Sequence, residues 1–320
     1  MKNILPILFS TVLLLVSTLF ALIVGEGFLR LKNLDMKNYD MEMWKYAKSL
    51  KRPSQNAVLG HEHIPNKTAT LQSVDITLNS HGMRGDEISE SKSHHRIIFL
   101  GSSITLGWGV DFDDILTSRL DKLLNAETKK YEIINAGIGN YNTKRYVELY
   151  LAQLKKFDAD SIVVQYFVND AEVLKAGGGN WILRNSQLAV TLLTALNRII
   201  NAGNEETLKN HYQSIYSPSS EGFLEMKAAL KELANYASNN NKKIFLVMTP
   251  DFHNLLDYPF AFIHQKMEQI ANEFGIQYLD LLPYFIGIKK DDIWAMPGDP
   301  HPNKLGHEIM ADAIKQNFDF

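Results

Sequence analysis

Apolar residues are distributed in two different ways along the chain. From Ile4 to Val24 no charged residue interrupts the run, whereas beyond Arg96 short apolar stretches alternate with segments of helical periodicity. Ile97-Ile98-Phe99-Leu100, Glu132-Ile133-Ile134-Asn135, Ser161-Ile162-Val163-Val164-Gln165-Tyr166, Ile244-Phe245-Leu246-Val247-Met248 and Gln277-Tyr278-Leu279-Asp280 read as strands. The continuous runs among them suit strands covered on both faces. Between them Leu116, Leu120, Leu123 and Leu124 share one helical face, as do Val147, Leu151 and Leu154. Further helices are predicted over residues 224–237, around Phe262, Ile263, Met267 and Ile270, and over residues 303–317 with Leu305, Ile309, Ala313 and Ile314 inward. Strands alternating with helices predict a three-layer αβα domain on a mainly parallel sheet of about five strands. In such sheets the functional loops follow the carboxyl ends of the strands.

The N-terminal run matches the roughly 20 residues that cross a bilayer as a helix. It ends in Ala21-Leu22-Ile23-Val24-Gly25-Glu26, a poor cleavage site, so residues 1–25 read as an uncleaved signal anchor with 4–24 in the membrane. Lys2 lies before the segment and Arg30 and Lys32 after it, so basic residues give no orientation. Residues 26–95 read as a juxtamembrane linker followed by a small β-rich collar over 57–85. The collar closes on the turn Asn79-Ser80-His81-Gly82-Met83-Arg84-Gly85. Residues 96–320 form the main domain, with a helical insertion near 171–220.

Composition removes several classes of function. The net charge is −3 with no basic block, unlike a nucleic-acid binder. No cysteine is present, which excludes disulfides, thiolate metal sites and a cysteine nucleophile. Ten histidines occur, but without a helical His-x-x-x-His pair. No metal and no organic cofactor are expected.

Four segments follow predicted strands or precede the last helix. They are Gly101-Ser102-Ser103-Ile104-Thr105-Leu106-Gly107-Trp108-Gly109, Asn135-Ala136-Gly137-Ile138-Gly139-Asn140-Tyr141-Asn142-Thr143, Phe167-Val168-Asn169-Asp170, and Pro297-Gly298-Asp299-Pro300-His301-Pro302-Asn303. Their order and spacing resemble the four blocks of the SGNH (GDSL-like) hydrolases, over about residues 96–317. The membrane segment, the Asn-Ser-His-Gly-Met-Arg-Gly turn and the Gly-Trp-Gly-Val run further resemble an anchored bacterial subgroup. Its extracytoplasmic domain often acts on cell-surface polysaccharide or lipid. The resemblance implies a flavodoxin-like sheet order and a serine esterase, or an O-acyltransferase working through the same acyl-enzyme. The substrate it implies is an acylated glycan or lipid, met on the periplasmic side. A non-catalytic carbohydrate-binding or assembly protein on the same fold is the alternative.

By that resemblance Ser103 is the nucleophile and His301 the base. The main-chain N–H of Ser103 and Asn140, with the Asn169 amide, form the oxyanion hole, and Gly139 is the alternative to Asn140. The chemistry needs a hydroxyl on a tight turn, an imidazole to carry its proton, and N–H donors for the developing oxyanion. Taken alone, Ser103 suits a helix cap, His301 a helix-start loop and Asn169 an Asx turn; Asp170 reads as a turn residue.

Three positions depart from the family pattern. Ser102 replaces the block-one aspartate. Asn140 replaces a glycine, which a main-chain donor survives if the asparagine takes a left-handed conformation. Gly298 stands where an aspartate usually lies three residues before the histidine. Either Asp299, two residues before, orients His301, or the site runs as a Ser–His dyad; Asp299 is the favoured reading. In the insertion, Leu188, Val190, Leu192, Leu193, Leu196, Ile199 and Ile200 give one apolar face. It reads as core packing or, more sharply, as a lid or acyl-chain site hinged at Gly177-Gly178-Gly179. His81 and Arg84 are placed at the border of the cleft.

Overall fold

The uninterrupted N-terminal run folds as one helix, α1 (Ile4–Lys32), in the computed structural model, which describes residues 4–34, 38–174, 181–200 and 205–320. Its Leu, Ile, Val and Phe side chains from Ile7 to Val24 are exposed. The helix is long and apolar enough to cross a membrane. Lys2 lies outside the described residues. α2 (Tyr39–Leu50) follows.

The collar consists of two antiparallel hairpins. β1 (Lys51–Pro53) pairs with β2 (His61–His63), and β3 (Thr68–Leu71) with β4 (Val74–Thr77). Only Gln72 and Ser73 join β3 to β4, at φ of 51° and 67°. Positive φ at both central residues matches the right-handed twist of a hairpin, but glycine, asparagine and aspartate usually supply it. Gln72 therefore holds a conformation that costs on the order of 1 kcal/mol.

The main sheet takes β5 (His95–Gly101), β6 (Tyr131–Gly137), β7 (Ser161–Phe167), β8 (Lys243–Thr249) and β9 (Gln277–Asp280) in the order β6-β5-β7-β8-β9, every pair parallel. Each strand covers its predicted segment and extends it by at most two residues at either end. The helices of this fold are α3 (Ser103–Leu106), α4 (Leu116–Leu124), α5 (Thr143–Leu149), α6 (Trp181–Asn185), α7 (Gln187–Ile200), α8 (Glu205–Ile215), α9 (Glu221–Asn239), α10 (Ala261–Phe274), α11 (Leu282–Phe285), α12 (Lys290–Ile293) and α13 (Lys304–Asn317).

Continuous apolar strands are the consequence of covering both faces. Ile98, Leu100, Ile162, Val164, Leu246 and Met248 join one buried cluster with residues of α5, α9 and α10. Ile97, Phe99, Val163, Phe245 and Val247 alternate with them and join a second with α4 and α13. Each fully buried side chain of this size stabilises by roughly 1.5–3 kcal/mol. A short antiparallel ribbon, β10 (Trp294–Met296) with β11 (Asp299–Pro302), precedes α13 and was not legible in the chain's periodicity. Asn303 caps α13, its Oδ1 accepting from the N–H of Leu305 and Gly306.

By contact density the chain divides into Met1–Lys48 with Gly178–Gly203, and Ser49–Gly177 with Asn204–Phe320. The first unit contains α1, α6 and α7. There the Glu26 carboxylate accepts from Gln187 N, Leu188 N and Ser186 Oγ, capping the start of α7. Leu192, Leu193 and Leu196 of α7 are exposed, whereas Leu188 and Val190 of the same face are half-buried. The side chains of Ile199 and Ile200 and the glycines Gly177, Gly178 and Gly179 lie outside the described residues.

Candidate active site

Two glycines let the first block lie flat on the sheet. A Cβ on Gly101 would meet Thr105 Oγ1 at 2.0 Å, and one on Gly137 would meet Leu106 N at 2.2 Å. With both glycines in place, α3 settles against the carboxyl ends of β5 and β6. A buried polar ladder then fixes it. Asn135 Nδ2 donates to Thr105 O (2.6 Å) and Thr117 Oγ1 (3.0 Å), and Thr105 Oγ1 donates to Gln165 Oε1 (2.9 Å).

Ser103, the first residue of α3, is half-buried, with its Oγ 2.7 Å from His301 Nε2. On β11, His301 Nδ1 lies 2.5 Å from Asp299 Oδ1. A carboxylate only accepts, so Nδ1 carries the proton and Nε2 is left to accept from the serine hydroxyl. Residues 198 positions apart thus meet in one chain of hydrogen bonds, and Asp299 occupies the place facing the imidazole. With Gly298 at φ 81° before it, β11 brings Asp299 to the ring although it stands only two residues before His301.

Asp299 is completely buried and surrounded by donors. Its Oδ2 accepts from Gln72 Nε2 (2.5 Å) and Trp108 Nε1 (3.0 Å), and its Oδ1 also accepts from His301 N (3.1 Å). Burial pushes this carboxyl up. The hydrogen bond and charge of His301, with the bond from Gln72, outweigh that and hold it below the usual carboxylate range.

The three sequence-predicted donors follow neighbouring strands. Asn140 has φ 64°, the left-handed conformation its replacement of glycine requires. Among the described residues, neither the Ser103 N–H nor the Asn140 N–H donates to any acceptor, and the exposed Asn169 amide makes no hydrogen bond. Their loops are laced together: Ile138 N donates to Gly101 O (3.2 Å), Thr143 N to Asp170 O (3.1 Å) and Asn142 Nδ2 to Glu172 O (2.7 Å). The alternative donor, Gly139, has its carbonyl held by Lys51 and His61. Asp170 is a buried turn residue accepting from Phe167 N, and burial pushes its carboxyl well above the ordinary range.

Of the two residues placed at the border of the cleft, Arg84 lies against the segment after Ser103 and His81 lies elsewhere. Arg84 is buried and donates to the carbonyls of Leu106, Gly107, Val110 and Asp75, clamping the segment after α3 to the collar. His81 is exposed and packs edge-on to Phe157, which precedes the amino end of β7 and so lies toward the other edge of the sheet. Sequence reasoning missed Gln72 and Trp108. The Gly-Trp-Gly run was visible as a motif, but nothing local marked Gln72. Among the described residues no group of three or more His, Asp or Glu is arranged to hold a metal ion.

The model of the GDSL-like lipase/acylhydrolase family matches residues 99–309. No curated protein matches the sequence. Solved structures with a similar arrangement include a two-domain esterase active on acetylated mannans (18% identity, TM-score 0.44, covering 70% of this chain and 48% of that one). The chain therefore spans about half the length of that esterase. Others are the acetylxylan esterase Axe2 from Geobacillus stearothermophilus (16%, 0.47, 71% and 94%) and the psychrotrophic esterase EstA from Pseudoalteromonas sp. (14%, 0.45, 70% and 96%).

Proposed function

We propose that this chain, which belongs to the GDSL-like lipase/acylhydrolase family, is a serine ester hydrolase whose catalytic triad is Ser103, His301 and Asp299. The observation that carries this reading is the continuous relay Ser103 Oγ to His301 Nε2 and His301 Nδ1 to Asp299 Oδ1, at 2.7 and 2.5 Å. Ser103 Oγ attacks the ester carbonyl while His301 Nε2 takes its proton. The imidazolium so formed faces the ionised Asp299, which stabilises it and fixes the tautomer. The tetrahedral oxyanion is received by the N–H groups of Ser103 and Asn140 and the Asn169 amide. As the C–O bond breaks, His301 returns the proton to the departing alkoxide, leaving an acyl-serine. Water, deprotonated by the same imidazole, releases the carboxylic acid and restores Ser103.

A sugar hydroxyl in place of that water makes the same cycle an O-acyl transfer. The substrate is an acylated cell-surface glycan or lipid, in line with the resemblance to anchored bacterial members. α1 holds the esterase at the membrane, with the catalytic unit on the extracytoplasmic side. Support comes from the exposed apolar surface of α1 and from α7, which starts beside Gly25 and Glu26 and exposes Leu192, Leu193 and Leu196. Retention of the full chain in the membrane after alkaline carbonate extraction, and reporter fusions on either side of α1, check this placement.

The activity test uses a fluorophosphonate probe, followed by product mass spectrometry on a panel of acylated glycans and lipids. Wild type takes up one phosphonyl group and Ser103→Ala none. Equal labelling of both removes Ser103 from the reading. The ratio of free acid to acylated acceptor separates hydrolase from transferase.

A further inference from the structure

The loop that carries Asn140 is gripped from behind by two collar residues to which the hydrolytic cycle gives no part. Lys51 opens β1 and His61 opens β2. Lys51 Nζ lies 2.5 Å, and His61 Nε2 3.1 Å, from the same carbonyl oxygen, that of Gly139. Arg145 Nη1 donates to the next carbonyl, Asn140 O, at 3.3 Å. A trans peptide is planar, with its C=O and N–H on opposite sides, and no cis bond occurs among the described residues. Fixing the Gly139 carbonyl therefore fixes the direction of the Asn140 N–H, which points away from Lys51 and His61 and has no acceptor among the described residues.

We propose that Lys51 and His61 are positioning residues of the oxyanion hole. They hold the Gly139–Asn140 peptide so that its N–H faces the reacting carbonyl, and the ammonium strengthens that N–H as a donor. The proposal rests on the assignment of Asn140 as an oxyanion donor. The hold is needed because Asn140 sits at φ 64°, and rotation of this one peptide plane would relax it and turn the N–H away. Positive charge at the carbonyl oxygen polarises the whole amide, so a cation on one side of the plane makes the hydrogen on the other side more acidic.

The surroundings make the ammonium conditional. Burial, followed by the charge of Arg145, pushes Lys51 down to about 7. Burial, then Lys51, with Arg145 and His63 adding to it, pushes His61 down to about 3, so His61 is a neutral donor through Nε2–H. His63 is likewise pushed to about 3 by burial, with Lys51 contributing. The charge at Gly139 is thus Lys51's, present below about pH 7 and lost above it.

The test uses the full chain in detergent, with p-nitrophenyl acetate as the substrate probe. Lys51→Met is expected to lower kcat about 10- to 100-fold with KM within about twofold, less than loss of a direct donor. Lys51→Arg is expected to recover most of kcat and to remove the decline that wild type shows above pH 7. His61→Gln, which keeps a donor, should lose less than His61→Ala. If Lys51→Met retains wild-type kcat, or if Lys51→Arg fails to recover it while both variants melt at the wild-type temperature, the proposal is overturned. Loss of kcat together with a fall in melting temperature that Lys51→Arg also shows makes the role structural and overturns it equally. Fluorophosphonate labelling separates the two levels: if Ser103→Ala still labels, the Ser103 nucleophile reading fails, and with it the Asn140 assignment built on it. If only the Lys51 results go the wrong way, the triad stands without the collar's grip.

Discussion

The unit that carries the candidate site contains the same hydrogen-bond pattern twice. Ser103, His301 and Asp299 form one relay. In the other, Tyr258 donates from its hydroxyl to His264 Nε2 (2.8 Å), and His264 Nδ1 donates to Asp280 Oδ1 (2.7 Å). Connectivity does not distinguish them, but surroundings do. His264 is 3% exposed, and the Tyr258 hydroxyl also accepts from Asp251 N, which leaves it little freedom to attack anything. Burial pushes that phenol well above its ordinary range, so it stays neutral. Ser103 by contrast is half-buried at the start of α3, just beyond a strand's carboxyl end, with unengaged N–H donors at its own main chain and on the neighbouring loop. A hydroxyl–imidazole–carboxylate relay becomes a catalyst only with access and with donors held open for charge that has not yet formed.

Removing hydroxyls should separate the two relays most sharply. Ser103→Ala is expected to lower kcat on p-nitrophenyl acetate about 10⁶-fold, the scale set by serine hydrolases whose triad acts as a unit. Tyr258→Phe should leave kcat within about twofold and cost about 1 kcal/mol in a denaturation curve, the worth of one buried hydrogen bond. Carboxylates come next: Asp299→Ala is expected to cost about 10⁴-fold in kcat, whereas Asp280→Ala should act on melting temperature with kcat nearly unchanged. A comparable loss of kcat in the Asp280 variant would erase the distinction drawn here.

Acid should reach the fold through histidines outside both relays. His63 and His307 are buried and His61 is partly buried; all three are neutral, each pushed down to about 3, with desolvation the first cause in every case. The unfolded chain protonates them near 6.5, so between about pH 6.5 and 3 it binds more protons than the folded one. Stability therefore falls as pH is lowered through that window, by about 1.4 kcal/mol per pH unit for each histidine. Asp299 adds to the loss in the same direction, because a depressed carboxylate stabilises above its unfolded value and ceases to as pH falls. Urea denaturation at pH 7, 6 and 5 reads the slope, and His307→Gln should make it shallower. Within the Ser103 relay, the smallest loss expected is that of Gln72→Leu. Trp108 still donates to Asp299 Oδ2, so a 3- to 10-fold fall in kcat is predicted, roughly the ~1 kcal/mol of one hydrogen bond. It should come with an upward shift of the acid limb of the pH profile.

What the sequence revealed follows the range of the forces involved. Ile97–Leu100 as a strand, a helix beginning near Asn303 and Asn140 in a left-handed turn all follow from neighbours within a few residues, and the structure has each of them. Asp299 was legible as a candidate because it stands two residues from His301. Gln72 was not, because its partner lies 227 residues away and its own segment reads only as a hairpin turn. Lys51 and His61 were invisible for the same reason. A lysine opening a three-residue strand has no local signature of a grip on another loop. The β10–β11 ribbon escaped because Pro300 and Pro302 hide a strand pattern, although prolines are tolerated where a ribbon has a free edge.

The collar hairpins carry a lesson about boundaries. The family match begins at residue 99, yet Lys51, His61, Gln72 and Arg84 all reach into the loops it covers from positions before that point. A gene trimmed to the matched segment would encode Ser103, His301 and Asp299 but lose the side chains that brace them. Divergence upstream of residue 96 is therefore a route by which relatives with an identical triad could drift in rate or fall silent.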